Sequence, residues 1–510
     1  MNDYTSDIAG QYRAQLDQTE LAAGNRHHGE ASACSTVTVA GFEAGPTTRQ
    51  ALHDIGLQHQ TLVQHHPAAT PPYPRHLLRL QVSDGTALSD AALIRQFWHQ
   101  PPYAMALQLV SYAPHSSLGT VVDGAVIGTR GDRRIFETRV ERTAARLIEA
   151  AVSGTSRGAP AISFDPARQR ARWFPARGWL DYLSARWRSR LFIERWGVGL
   201  AAGSLVSIAQ SAYPGPVRWL APGKGGDWLA DPFPCPGTGL LLCEKMPAGS
   251  GLATTRAFPR TQLLLCEKMP AASGYGVIVA IAPQHDRSWK QVATLLSEAG
   301  THFSYPCVFS EGADTYVVPE SLEQGGTTLY RLTPDMRLIP VCDIAPGRRL
   351  ADPTLFRHQE RYWIACTDVD IGEHDNLCLL HAQTLDGPWQ PHRCTPVKID
   401  ICGARPAGPL FQIGNALFRP GQDCARTYGA AVVIHRVEML TPDDYRETFV
   451  TRVCPDPSGD FPDGLHTLAA DEEGQVWLDG KRFEFDFGTL CGKILRRLAN
   501  LSGVARSKPA

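Results

Sequence analysis

Thr315-Tyr-Val-Val-Pro-Glu-Ser-Leu-Glu-Gln-Gly-Gly-Thr-Thr-Leu-Tyr-Arg331 sets the reading of this chain: two short runs rich in β-branched and aromatic residues, separated by a glycine-bearing turn. The same texture continues outward. Arg361-Tyr-Trp-Ile-Ala365, Asn376-Leu-Cys-Leu-Leu-His381, Ala416-Leu-Phe-Arg419 and Ala430-Ala-Val-Val-Ile-His435 each fit a strand of four to six residues bounded by turn formers. Strands at this spacing indicate a sandwich, barrel or propeller. An aromatic-bearing strand returns at Tyr316, Tyr362 and Phe418, intervals of 46 and 56 residues. That is close to the period of about 40–50 expected of a four-stranded blade, and it favours a propeller over residues 196–485.

Upstream the pattern changes. Residues 1–45 are polar and lack sustained periodicity, which predicts a mobile tail. Residues 46–155 read as a small α/β segment, with strands at Met105–Ser111 and Gly119–Ile127 and a helix over Glu137–Ala151. That helix carries Val140, Ala144, Leu147 and Ile148 at helical spacing. Residues 156–195 form a basic linker. In it Trp179, Leu180, Leu183, Trp187 and Leu191 alternate with Arg186, Arg188 and Arg190, the pattern of an amphipathic helix. It packs on the propeller or gives weak membrane-surface contact through residues 177–191. Residues 486–510 are a tail. The expected fold class is thus mainly β: a five-bladed β-propeller preceded by a small α/β segment and a basic amphipathic helix.

Composition narrows the function. The 510 residues suggest two or three folding units. A formal charge of −1 gives no global field toward nucleic acid. No basic region followed by an apolar run opens the chain, and no stretch reaches the roughly 18 apolar residues of a membrane span; the expectation is cytoplasmic. Thirteen cysteines without a Cys-x-x-Cys pair read as free thiols, and no metal or cofactor is expected. Gly223-Lys-Gly-Gly226 lacks phosphate-loop spacing and reads as a turn, and His374 with Asp375 reads as a solvated loop.

One anomaly interrupts the propeller. Leu240-Leu-Leu-Cys-Glu-Lys-Met-Pro-Ala248 reappears as Leu263-Leu-Leu-Cys-Glu-Lys-Met-Pro-Ala271, displaced by 23 residues. This is a local duplication, so one copy is expected in the first blade and the other extruded. The second copy runs directly into Gly274-Tyr-Gly-Val-Ile-Val-Ala280 and is the expected structural one.

The chemistry-bearing residues lie in compact phrases at strand ends: Trp228-Leu-Ala-Asp-Pro-Phe233, Ser304-Tyr-Pro-Cys-Val-Phe309, Val318-Pro-Glu-Ser321, Leu350-Ala-Asp-Pro-Thr-Leu-Phe356, Gly403-Ala-Arg-Pro-Ala-Gly408, Arg419-Pro-Gly-Gln-Asp-Cys424 and Gly464-Leu-His-Thr467. In a propeller such phrases converge near the central axis. Convergent carboxylates suit glycosidic chemistry, where one acid protonates the departing oxygen and another carboxylate acts as base or nucleophile. Asp231, Glu320 and Asp352 are the catalytic candidates, and Tyr305, Arg405, Gln422, Asp423 and His466 the substrate-binding ones. Each has a plainer reading. An Asp before Pro caps a turn, Glu320 is a surface charge, Arg405 is a buried ion-pair partner of Asp423, and His466 is a satisfied core histidine.

In their order these phrases resemble the N-terminal domain of plant glucosamine inositolphosphorylceramide transferase and its bacterial relatives, over about 290 residues. That domain in turn resembles the five-bladed propellers of arabinanase- and fructosidase-type glycoside hydrolases. The resemblance implies that Asp231 corresponds to their first-blade catalytic carboxylate, with Asp352 and Glu320 next, and that the partner is a sugar or glycolipid. In the plant enzyme, transfer is attributed to a separate exostosin-like domain, so the transferase label does not carry over. Residues 92–150, through Phe97-Trp98, Leu107-Gln-Leu109 and Val121–Ile127, resemble the end of a formyltransferase-like segment, without an Asn-His-Asp grouping. The alternatives to a sugar-acting protein are a non-catalytic glycan-binding or scaffolding module and a degenerate amino-sugar formyltransferase.

Overall fold

A computed structural model describes residues 36–40, 58–62, 77–82, 93, 97, 103–112, 119–130, 133–157, 192–220, 228–236, 240–246, 263–266, 276–284 and 289–485. The basic linker helix, Gly223–Gly226 and the C-terminal tail lie outside them. The architecture is mainly β and propeller-like. Among the described residues, no helix is long and apolar enough to cross a membrane.

Four blades are each continuous in the chain, where five were expected. The first runs through strands Trp228–Cys235, Leu240–Met246, Val277–Pro283 and Trp289–Leu296, with Leu263–Cys266 set among them. The second is Ser304–Glu311, Asp314–Glu320, Thr327–Leu332 and Leu338–Ile344. The third is Leu350–His358, Arg361–Asp368 and Asn376–Ala382, edged by Gln390–Pro391 and Lys398–Ile399. The fourth is Phe411–Ile413, Ala416–Asp423, Ala431–Leu440 and Tyr445–Val453. Tyr316, Tyr362 and Phe418 all fall on second strands, so the aromatic recurrence marks equivalent places in successive blades.

One further antiparallel sheet joins the two ends of the propeller segment. Leu468–Ala470 and Val476–Phe485 pair onward to Phe192–Ala201 and Val217–Trp219. The ten-residue ladder from Val476↔Ala201 to Phe485↔Phe192 ties residues nearly 300 apart in the chain, a closure whose loop entropy grows only slowly with length.

Among the described residues the first copy forms the longer strand, where the second was the expected structural one. Leu240–Met246 pairs along both Trp228–Cys235 and Val277–Pro283, and the described part of the second copy, Leu263–Cys266, makes shorter pairings with the same two strands. The short link from Cys235 to Leu240 makes the first copy the cheaper partner to close onto the preceding strand. Both copies take the same register: Leu242 and Leu265 each face Phe233 and Ala280.

The upstream unit holds a five-stranded sheet. Thr36–Ala40 pairs in parallel with Gln58–Leu62 and Leu77–Val82, and Ala104–Tyr112 and Gly119–Gly128 continue it antiparallel. The first of these strands falls inside the stretch expected to be a tail. The Arg133–Ser153 helix lays Phe136, Val140, Ala144, Leu147 and Ile148 against Leu80, Met105, Leu107, Leu109 and Ile127. This unit docks on the propeller: the Val126 carbonyl accepts from Ile401 N–H at 3.0 Å, and Val126, Ala104 and Tyr103 share a cluster with Ile401, Cys424 and Tyr428. Arg157 fastens the seam, pairing with Asp123 at 3.0 Å and donating to the Pro396 carbonyl.

Nine cysteines, among them Cys307 and Cys424, are free thiols. Burial pushes Cys307 and Cys424 up to about 12, so they are held as protonated apolar fillers.

Candidate functional site

The innermost strands of three blades share one local device. Asp231, Tyr305 and Asp352 each precede a proline, each has a positive φ (49°, 44° and 49°), and each lies where the ladder to the next strand slips register. Non-glycine residues in this region are strained, at about 1–3 kcal/mol each, and a bulge re-aims a side chain that would otherwise lie in the pleat. Arg405-Pro406 occupies the corresponding place in the fourth blade, where Pro406 bridges to Gly421. Read together, Asp-Pro, Tyr-Pro, Asp-Pro and Arg-Pro form a blade-by-blade signature that was visible in the sequence as separate phrases only.

These side chains meet in two linked groups. In the first, Arg405 donates through Nε to one oxygen of Asp352 at 2.5 Å and through Nη2 to the other at 3.0 Å. Gln422 donates to Asp352 at 2.7 Å, and Glu320 accepts from the Asp352 N–H at 2.9 Å while lying 3.6 Å from Arg405. In the second, Asp231 accepts from the Thr467 hydroxyl at 2.5 Å, and its own N–H donates to Asp479 at 3.1 Å. His466 Nδ1 lies 2.5 Å from Asp479 and 3.7 Å from Asp231. Tyr305 braces the surroundings: its hydroxyl bonds Thr354 at 2.8 Å and accepts from Gly408 N–H at 2.7 Å. None of Asp231, Tyr305, Glu320, Asp352, Arg405, Gln422 or His466 is more than 7% exposed.

Seven of the eight candidates therefore come together, and Asp423 stands apart. Its carboxylate pairs with Arg452 at 2.7 Å and accepts from Ala425 N–H. The Arg405–Asp423 pairing is thus corrected: Arg405 takes Asp352, and Asp423 takes Arg452, two strands away in the fourth blade. His374 is also not a free solvated residue. Half-buried, it lies 3.1 Å from Arg405 Nη1 and packs beside Tyr428.

Three participants, Asp479, Tyr428 and Trp196, were not among the candidate site residues. Asp479 lies within Val476-Trp-Leu-Asp-Gly480, and an acid inside an apolar run was the available signal. Tyr428 receives the guanidinium of Arg405 at 5.1 Å from its ring centre. Trp196 stacks on His466 with ring centres 3.9 Å apart.

Four buried carboxylates, Asp231, Glu320, Asp352 and Asp479, face one guanidinium and one imidazole. Burial is the main cause that pushes Asp231 up to about 6, against His466 and with help from Asp479 and Asp352. Burial also pushes Asp352 up to about 6, opposed by Arg405 and aided by Glu320. Burial works against a charged His466, but the Asp479 and Asp231 carboxylates outweigh it and hold the ring above its ordinary value. His374 goes the other way, to about 3, through burial and the Arg405 and Arg139 cations. The ligand atoms of Asp231, His466 and Asp479 lie within 4.8 Å of one another and could hold a metal ion; an ion there competes with the hydrogen bonds just described.

Residues 263–459 match the family model described as glucosamine inositolphosphorylceramide transferase 1, N-terminal, in line with the resemblance carried by the strand-end phrases. Residues 92–150, expected to resemble the end of a formyltransferase-like segment, lie outside that match. Glucosamine inositolphosphorylceramide transferase 1 of Oryza sativa subsp. indica is 30% identical over 174 residues, 33% of this chain and 23% of that protein. The Arabidopsis thaliana protein of the same name is 32% identical over 169 residues, 32% of this chain and 22% of its own length. The matched region thus spans less than a quarter of these relatives. Among solved structures, an exo-β-1,3-galactanase from Phanerochaete chrysosporium aligns over 49% of this chain and 55% of its own, with 13% identity and a TM-score of 0.35. A thermostable family-43 glycoside hydrolase aligns over 48% of this chain and 100% of its own, with 13% identity and a TM-score of 0.30.

Proposed function

We propose that this chain is a carbohydrate-active propeller protein that acts on a sugar in cell-surface glycan or glycolipid synthesis, through the carboxylates gathered at its centre. One observation carries the reading: Asp231 and Asp352, 121 positions apart in the sequence, are displayed by the same strained Asp-Pro bulge and both sit at about 6. Acid and base roles near neutral pH need carboxyls tuned into this range. A surplus of buried negative charge also favours the positive charge that develops on a sugar ring as its glycosidic bond breaks. The family match over residues 263–459 supports a glycolipid-related role.

In this reading Asp231, hydrogen-bonded to Thr467 and flanked by His466, is the base or nucleophile. Asp352 or Glu320 delivers the proton to the leaving oxygen, and Arg405 orients Asp352. The sheet that joins the two ends of the propeller segment closes the ring as a fifth blade, a role supported by the Asp231–Asp479 and Asp231–Thr467 bonds that link it to the first blade. Asp231→Asn and Asp352→Asn, assayed for release and for transfer of sugar from a panel of nitrophenyl glycosides and short-chain glycolipids, test the assignment. Loss of turnover in both supports it; turnover and glycan binding unchanged in both end it.

A second reading rests on the closure of the cluster. The two-pronged Arg405–Asp352 pair is buried and internally satisfied, as in a structural core, which favours a non-catalytic glycan-binding or scaffolding module. A glycan array followed by product analysis separates the two, because a scaffold retains its sugar and releases none. Turnover that survives removal of residues 1–155 would exclude the degenerate amino-sugar formyltransferase.

A further inference from the structure

Away from the central cluster, the sheet that joins the two ends of the propeller segment carries three glycines on one face of two paired strands. Gly197 and Gly199 are two apart on one strand, and Gly480 faces Gly197 across the ladder. A glycine inside a strand costs about 0.5–1 kcal/mol relative to alanine, so three together call for a reason. Two rings supply it. A Cβ on Gly197 would come within 2.2 Å of the Phe461 ring, one on Gly199 within 2.8 Å of Trp219, and one on Gly480 within 2.4 Å of Trp219 and 2.7 Å of Phe461. The glycines let both rings sink onto the bare backbone, with centres 4.4 Å apart and planes inclined at 49°.

Sinking the rings leaves a recess of about 190 Å³ above them, walled by Pro216, Val217 and Pro455 and rimmed by Asp456 and Asp460. It is smaller than the roughly 300–1,000 Å³ of sites for drug-sized ligands, which suits one small ring. No Lys or Arg lines it; Arg482 stands over the Phe461 ring, 5.3 Å from its centre, with its charge paired to Glu484. Asp460 is exposed and has no partner among the described residues; Asp456 spends one oxygen on Ser458. Aromatic faces beside free carboxylates match a pyranose, whose C–H face lies on a ring while its hydroxyls donate to charged acceptors.

We infer that the Trp219–Phe461 recess is a second binding site, for a single neutral sugar ring. It is separate from the central cluster, none of whose carboxylates lines it, and it does not depend on catalysis there.

The test is saturation-transfer NMR on the full chain with methyl β-D-glucopyranoside and methyl β-D-galactopyranoside, with tetramethylammonium as a cationic probe of the same pocket. Transfer to the ring C–H protons of a glycoside is expected. Phe461→Ala is expected to weaken binding about tenfold and Asp460→Ala several-fold, while Asp231→Asn leaves it unchanged. Asp460→Ala alters an exposed position, so it reads the site even if Phe461→Ala does not fold. Four results overturn the inference: no transfer from either glycoside, transfer indifferent to Asp460→Ala, transfer lost in Asp231→Asn, or capture of tetramethylammonium in place of the sugars.

Discussion

Arg405 grips Asp352 with two donors, Nε at 2.5 Å and Nη2 at 3.0 Å, across the gap between the third and fourth blades. Both side chains are buried, so the pair replaces water for two charges at once. Removing the cation strands a buried carboxylate, which costs about 3–5 kcal/mol. Arg405→Ala is expected to lose stability on that scale in urea denaturation. Arg405→Lys keeps the charge but not the planar fork, and is expected to fall between it and the parent.

The raised carboxyls predict the pH response. Asp231 stands at about 6 when folded, above its ordinary 3.8, so the folded chain binds that proton more tightly than the unfolded one. Its contribution to stability is complete below about 4 and is lost as pH rises through about 6. His466, also held above its ordinary value, acts in the same direction at higher pH. The thermal stability of the parent is therefore expected to fall relative to that of Asp231→Asn between pH 4 and pH 6–7. Parallel curves for the two proteins would contradict the coupling.

The duplicated strand gives a deletion test. Both copies present the same residues to Phe233 and Ala280. Removing residues 240–262 joins Gly239 to the second copy and shortens the connection without changing the ladder. Since loop closure costs little per added residue, unfolding free energy is expected to stay within about 1 kcal/mol of the parent or rise. A larger loss, measured by urea denaturation, would mean that the first copy carries something the second lacks.

Tyr305 joins three blades through one hydroxyl, bonded to Thr354 and to the Gly408 N–H. Tyr305→Phe leaves that buried N–H without its acceptor, a penalty of about 1–3 kcal/mol. The same denaturation series reads it.

Much of the fold was legible because its signals are local. Short apolar strands, their aromatic recurrence at Tyr316, Tyr362 and Phe418, and the Val140–Ile148 helical spacing all reflect a chain meeting its near neighbours. The strand-end phrases were legible for the same reason, since a bulge before proline is written in two or three residues. The partners were not. Nothing in the local sequence separates Asp352 from Asp423 as the acid for Arg405; Asp423 is only 18 positions away and Asp352 is 53. Likewise, the two duplicated strands are identical over nine residues, so no side chain could say which one the sheet would keep.

By itself, then, the sequence determined the strand-rich class, the family to which its phrases point and the residue types offered to the centre. These follow from local backbone preference and the alternation of apolar and polar side chains. Tertiary structure alone decided which charges neutralise one another, that His466 leans on Asp479, and that three glycines seat Trp219 and Phe461 beneath a recess. Ion pairing and ring packing fall off steeply with distance in space, and distances between blades are set by the closing of the sheets rather than by separation along the chain.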